Sequence, residues 1–168
     1  VMPKLVRITT MPVSLLVLLK GQMKFMKEKG YDVTMISSEG PEVSILVAQE
    51  ECSHLPVKLT RKITPFTDLI SLIRMIRVLN KIKPDIVHTH TPKAGLIGMW
   101  AARFAGVPVR LHTIAGLPWM ESKGLKRVIL KWVEKLTAWA ACKVYSNSNV
   151  QKEFLIKVNY ANAQEHVP

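Results

Sequence analysis

Short apolar runs alternate with longer segments of helical periodicity along the chain. Leu5–Thr9, Tyr31–Ser37, Leu55–Leu59, Asp85–Thr89, Pro108–Thr113 and Lys143–Ser146 read as strands. Most are apolar on both faces, as strands of a parallel sheet covered on both sides must be. Between them, apolar positions three and four apart predict helices near Ser14–Lys29, Pro41–Glu51, Thr67–Ile82, Pro92–Ala105, Lys123–Ala140 and Asn149–Lys157. Punctuation agrees with these bounds. Gly30 ends the first helix, Gly106 ahead of Val107-Pro108 ends the fourth, and Ser148 with Gln151 forms a capping-box pattern before the sixth. Strict alternation of strand and helix implies right-handed crossovers and a doubly wound α/β fold, a parallel sheet with helices on both faces. Ligands of such sheets bind beyond the carboxyl ends of the strands, at the switch point in strand order. The loops Thr9–Ser14, Ser37–Pro41, Thr60–Thr64, His88–Lys93, His112–Pro118 and Ser146–Ser148 fall there.

Composition sharpens this picture at three points. A chain of 168 residues with 48% hydrophobic content suits one domain over residues 1–168. Lys and Arg outnumber Asp and Glu by 24 to 12, a net charge of +12 that favours anionic partners. The excess is polarised: residues 31–60 hold five acids against Lys58, and residues 61–83 hold six bases against Asp68. Cys52 and Cys142 fit neither a metal-ligand spacing nor a disulfide framework, so a reducing cytoplasm is the expected compartment. Thr9, Thr10, Pro12 and Ser14 interrupt the apolar start, which argues against a secretory signal. No apolar run approaches the ~20 residues that span a bilayer, so any membrane contact is expected to be peripheral.

The chemistry concentrates in Lys83–Trp119, "KPDIVHTHTPKAGLIGMWAARFAGVPVRLHTIAGLPW", which holds His88, His90 and His112. His88 and His90, two apart at the end of the fourth strand, point to one face. His112 closes the fifth strand. Thr91 is the expected N-cap and Pro92 the first helical residue, which would aim free amides into the crevice beside Lys93. Gly95, Gly98, Ala101, Ala102 and Ala105 leave one flank of this helix thin, fit for close approach to the sheet. Three readings of the imidazoles stay open on the residues alone: a transition-metal site, for which no acid or thiol stands at ligand spacing; structural hydrogen bonding in a polar core; and a crevice for a phosphorylated sugar or nucleotide.

The same segment, preceded by "TRKITP" and followed by "VYSNS", resembles the N-terminal half of family 4 glycosyltransferases, in the bacterial branch that builds capsule, O-antigen and related surface polysaccharides. The pattern that carries the likeness is Asp85-Ile-Val-His88-x-His90, a helix, Gly106-Val-Pro108, a strand, then His112-Thr113. The resemblance implies the GT-B architecture, two Rossmann-like domains facing each other across a cleft. This chain would supply the acceptor-side half, and the nucleotide-sugar domain would lie outside it. It also implies a hexosyltransferase that needs no metal or other cofactor. A sugar would pass from a nucleotide-sugar donor, with retention of configuration, to a polyprenyl-diphosphate-linked glycan acceptor. His112 matches the family's histidine at this strand end and is the implied catalytic residue; Thr113 and Gly116 adjoin it, and His90 and Lys93 are expected to face it across the crevice. His112→Ala is thus expected to slow transfer and His88→Ala to act through stability.

Two departures from the family pattern stand out. The loop after the first strand lacks the paired glycines of many members, so Thr9, Thr10 and the helix start at Ser14 are the remaining candidates for phosphate contact. Glu42 and Glu50 have the spacing of the family's donor-side glutamates but lack the adjoining glycines and lie in the wrong half, so they are assigned to a solvated helix face. Arg61 and Lys62, in the loop after the third strand, could meet a diphosphate at the crevice rim. Arg74, Arg77 and Lys81 form one basic stripe, and Arg127, Lys131 and Lys135 a second, bordered by Trp132 and Trp139. Cations beside aromatics suit an anionic membrane surface, at the inner face of the plasma membrane. No DNA- or RNA-binding motif is present, so nucleic acid is not the expected partner. The competing reading is a non-catalytic Rossmann-like subunit that binds a sugar nucleotide or docks an enzyme to membrane. A sugar-nucleotide epimerase of the same architecture fits "HTHTPKAG" less well.

Overall fold

Seven parallel strands in the order β3-β2-β1-β4-β5-β6-β7 form the sheet of the computed structural model, which describes residues 1–116, 118–149, 153 and 163–166. The strands are β1 Lys4–Ile8, β2 Asp32–Ser37, β3 Ser53–Pro56, β4 Ile86–His90, β5 Val109–Ile114, β6 Lys143–Ser146 and β7 Ala163–His166. The helices are α1 Pro12–Leu18, α2 Gln22–Glu28, α3 Val43–Glu50, α4 Pro65–Ile82, α5 Pro92–Phe104 and α6 Gly124–Ala140. After β1 the chain builds outward to β3, then returns to lay β4 on the other side of β1. The loops after β1 and β4 therefore part company, and the crevice of a doubly wound sheet opens between them.

Alternation along each strand sorts the core into two layers. Val6, Ile8 and Val87 pack with Met75 and Leu79 of α4 and with Ala94, Ile97, Ala101 and Ala102 of α5. Leu5, Val33 and Met35 face the other way, onto Leu15, Leu19, Met23 and Leu46 of the α1–α3 layer. Ile114, Val144 and Trp119 form a third cluster beside α6. The thin flank of α5 is what lets that helix settle on the sheet. A Cβ on Gly98 would lie 2.6 Å from Thr89 Cγ2, and one on Gly95 would lie 2.5 Å from His112 Cε1.

Several expectations are corrected. The first helix is two helices, because Gly21 takes a left-handed conformation (φ 77°) between them. That break presents the amides of Gly21 and Lys24 to the Glu50 carboxylate at 2.7 and 3.1 Å. Glu50 is consequently fully buried as a cap for α2 and does not belong to a solvated face, whereas Glu42 is half-buried. The third strand lies at Ser53–Pro56, earlier than Leu55–Leu59. Val57 still donates to Ser37 O, and Leu59 to the Ser38 hydroxyl, so both apolar side chains bury without belonging to the strand. β7, parallel to β6, was not foreseen. The expected sixth helix and the Ser148–Gln151 cap lie largely outside the described residues.

Candidate functional site

The site grows from one charged position in an otherwise apolar strand. Arg7 stands opposite His88 in the β1–β4 register, on the α1–α3 face of the sheet. It is 8% exposed. Its Nη1 donates to His90 Nε2 at 2.9 Å. A guanidinium has only donors, so His90 Nε2 must accept and the ring proton resides on Nδ1. The His88 and His90 rings stack with centroids 4.3 Å apart, and His88 Nε2 bonds the Thr113 hydroxyl at 2.7 Å. Burial, then the neighbouring cationic positions, holds both imidazoles well below their ordinary pKa. Burial also lowers Arg7 to about 10, which leaves it charged at neutral pH.

These groups line a pocket of about 260 Å³, closed by Leu18, Leu19 and Gln22 on one side and by Ala115 and Asn147 on the other. Leu18 also belongs to the wall of a second pocket of about 630 Å³, lined by Thr10, Ser14, Arg61, Thr91, Lys93 and Lys126 among others. The two therefore adjoin at the switch point. Thr91, in the wall of the larger pocket, has φ 77° and ψ 147°, a backbone that non-glycine residues rarely adopt. It does not cap α5 through its side chain. The Thr91 hydroxyl instead receives the Thr10 amide at 3.2 Å and bonds the Thr10 hydroxyl at 2.9 Å, which ties the loops after β1 and β4 together.

His112 is placed differently from the expectation. Its register partner is Thr89, not His90, so His112 and His90 lie on opposite faces of the sheet. It is 2% exposed beneath α5, with Nδ1 bonded to the Thr89 hydroxyl at 2.8 Å. Burial pushes its pKa down to about 4, partly offset by a hydrogen bond to the Thr89 backbone. Lys93 does not reach toward it either; its ammonium is paired with Asp68 and bonded to Lys62 O, which pins the Lys62 loop to the start of α5.

The remaining candidates divide cleanly. Thr10, Ser14, Arg61 and Lys93 surround the larger pocket, and His90 and Thr113 the smaller. Thr9 is buried and donates to Met11 O at 2.8 Å. Lys62 is exposed and contributes only its carbonyl; Gly116 is half-buried in the loop beyond β5. Arg7, Gln22 and Asn147 were missed. For Arg7 the signal was in the sequence: a cation in the strand "KLVRI" cannot be buried without a reason. Among the described residues no three His, Cys, Asp or Glu groups gather as metal ligands, and no helix is long and apolar enough to cross a membrane.

On the outer surface, Leu125, Val128, Trp132 and Trp139 follow one another at helical spacing along α6 and are all exposed. Arg127 and Lys131 lie 5.7 and 4.9 Å from the ring of buried Trp119, and Lys135 lies 5.5 Å from Trp132.

Comparison with known proteins places this geometry. Fold and crevice define a doubly wound α/β domain whose crevice opens at the sheet's switch point. The chain belongs to the glycosyl transferase 4-like family, whose model matches residues 13–165. It is 38% identical over 144 residues to a Staphylococcus aureus capsular polysaccharide biosynthesis glycosyltransferase, CapM. It is 33% identical over 143 residues to an Escherichia coli UDP-Gal:alpha-D-GlcNAc-diphosphoundecaprenol alpha-1,3-galactosyltransferase. These alignments cover 86% and 84% of the chain but 37% of each relative, so the chain spans little more than a third of their length. Among solved structures, a Rickettsia africae glycosyltransferase superposes with a TM-score of 0.71 at 20% identity, over 99% of this chain and 42% of that one. A Listeria monocytogenes protein named "putative UDP-N-acetylglucosamine 2-epimerase" shares the fold at a TM-score of 0.69 and 15% identity, over 97% and 44%.

Proposed function

We propose that this chain is the acceptor-side half of a GT-B glycosyltransferase. The complete enzyme would move a sugar from a nucleotide-sugar donor, with retention and without a metal ion, to a polyprenyl-diphosphate-linked glycan in surface-polysaccharide synthesis. The observation that carries this reading is the span of the family match: residues 13–165 include Ser14, the β4–α5 segment and every other crevice element beyond the first turn. The relatives' names support the chemistry, one being a capsular-polysaccharide transferase and the other acting on a diphosphoundecaprenol-linked sugar.

Substrate groups meet Thr10, Ser14 and Arg61 around the larger pocket and His90 and Thr113 around the smaller. His112 acts from beneath as a positioning residue, holding Thr89 between His88 and His90 on the strand. Preorganised donors of this kind stabilise a departing phosphate and an oxocarbenium-like centre without reorganising. The compartment is the cytoplasm, at the inner face of the plasma membrane, where α6 lies against anionic lipid. The test is transfer by the complete protein from a panel of nucleotide sugars to a polyprenyl-diphosphate-linked acceptor, with the anomeric configuration of the product read by NMR. Transfer with retention is the expected result; inversion, or no product with any donor, would sink the reading.

A further inference from the structure

We infer that the pocket over Arg7, between Leu18 of α1 and the stacked imidazoles of His88 and His90, is a binding site for a diphosphate group. The transferase reading names the carrier of that group; the site itself stands on its own geometry.

Among the described residues, Arg7 is the only charged side chain lining this pocket, and no acid lines it. Neither ion pair among the described residues involves it, and its Nε is buried without a partner. Among the described residues its side chain bonds only a neutral imidazole, which cannot compensate the charge. A buried cation with no counter-ion is unfavourable, and a fold gains nothing from it unless an anion arrives. The surroundings supply the rest of an oxyanion shell. His90 accepts at Nε2 and so retains an Nδ1 proton; Thr113 adds a hydroxyl, and Gln22 and Asn147 add side-chain amides at the pocket wall. A space of about 260 Å³ is larger than one carboxylate requires and suits linked phosphates. The planar guanidinium also matches phosphate oxygens in a way that an ammonium does not.

Two substrates of the proposed reaction carry such a group: the nucleotide sugar and the lipid-linked acceptor. The experiment separates them. Inorganic pyrophosphate is titrated calorimetrically into the complete protein and into its Arg7→Met and Arg7→Lys variants, with Lys58→Ala as an exposed-charge control and acetate as a second probe. Arg7→Met should weaken pyrophosphate binding at least tenfold while the melting temperature holds or rises, because an apolar chain replaces an uncompensated buried charge. Arg7→Lys should fall between, and Lys58→Ala should bind as the parent does. In steady-state transfer by Arg7→Lys, a tenfold rise in KM for one substrate alone identifies the diphosphate that docks here.

Several results would overturn the inference. Unchanged pyrophosphate binding in Arg7→Met with a lower melting temperature makes Arg7 structural. Acetate binding as tightly as pyrophosphate removes the diphosphate assignment. Should Arg7→Met fail to fold, Arg7→Lys decides, and parental binding and KM values in it sink the proposal. Transfer by the parent enzyme alongside any of these leaves the transferase reading intact, whereas Arg7-dependent binding without transfer keeps the site and removes that reading.

Discussion

At the scale of single residues, the three histidines share a chemistry and differ in what they touch. His112 bonds Thr89 under α5 and meets no pocket described above, whereas His88 and His90 form the floor of one. His112→Ala should therefore act mainly on stability, stranding the Thr89 hydroxyl at a cost of ~1 to 3 kcal/mol. His112→Asn, which can restore a bond from the Nδ1 position, should recover most of it. His90→Ala should slow transfer by roughly 10²-fold, the scale for losing one preorganised donor, with a smaller change in melting temperature. Melting curves and transfer rates of the three variants check this. A His112→Ala enzyme that melts normally and fails to transfer would return catalysis to that residue. Sequence placed the imidazoles in one segment and on adjacent strands. It did not place His112 and His90 on opposite faces, because that depends on the β4–β5 register, which pairs Thr89 with His112.

At the scale of elements, alternation and punctuation carried most of the information. Strands β1, β2, β4, β5 and β6 fall where their apolar runs stand, since parallel strands buried on both faces have no other way to read. The break between α1 and α2 was hidden, because helical periodicity passes through Gly21 and only the distant Glu50 carboxylate shows why the chain turns there. Glu50 looked like surface for the same reason. The glycines of α5, by contrast, were legible as packing residues, and the structure names what they pack on. Gly98→Ala drives a methyl group toward Thr89 Cγ2 at 2.6 Å and Ile8 Cδ1 at 3.2 Å, both on fully buried residues. It should cost ~1 to 3 kcal/mol. Gly95→Ala meets His112 Nδ1 at 2.9 Å and should also disturb the bond to Thr89. Chemical denaturation should show both losses, and Gly116→Ala, whose Cβ would meet nothing within 4 Å, should show none.

At the scale of the molecule, buried titratable groups and surface charge set its response to pH and salt. His112 is held at about 4, and His88 and His90 are also depressed, so the folded chain binds fewer protons than the unfolded chain below their ordinary pKa of about 6.5. Stability from these groups is present above that value and is lost as pH falls toward 4. Buried Glu134 works in the opposite sense. Burial raises it to about 7, so its contribution is lost as pH rises from about 4.5 through 7. Melting temperature should thus fall on acidification below pH 6.5, and Glu134→Gln should raise it at pH 8 while leaving pH 4.5 nearly unchanged.

The net charge of +12 acts at longer range, and α6 shows where it would be used. Trp132 and Trp139 are 59% and 71% exposed on a stripe continued by Leu125 and Val128, a large apolar strip to leave in water. Arg127 and Lys135 flank it in the open, while Lys131 is half-buried near the Trp119 ring. The membrane contact proposed above would satisfy both halves of this arrangement: the apolar stripe would enter the headgroup boundary and each exposed cation would gain about 1 kcal/mol from anionic lipid. Free solvation satisfies only the charges. The complete protein should therefore bind vesicles of phosphatidylglycerol and phosphatidylethanolamine, and sedimentation should show weaker binding as salt rises from 0.1 to about 0.5 M, where the screening length falls well below 10 Å. Arg127→Glu with Lys135→Glu should reduce binding at least tenfold, since two attractions become repulsions, and Trp132→Ala should reduce it even at low salt. Binding that ignores all three substitutions would show that α6 is not the surface that meets lipid.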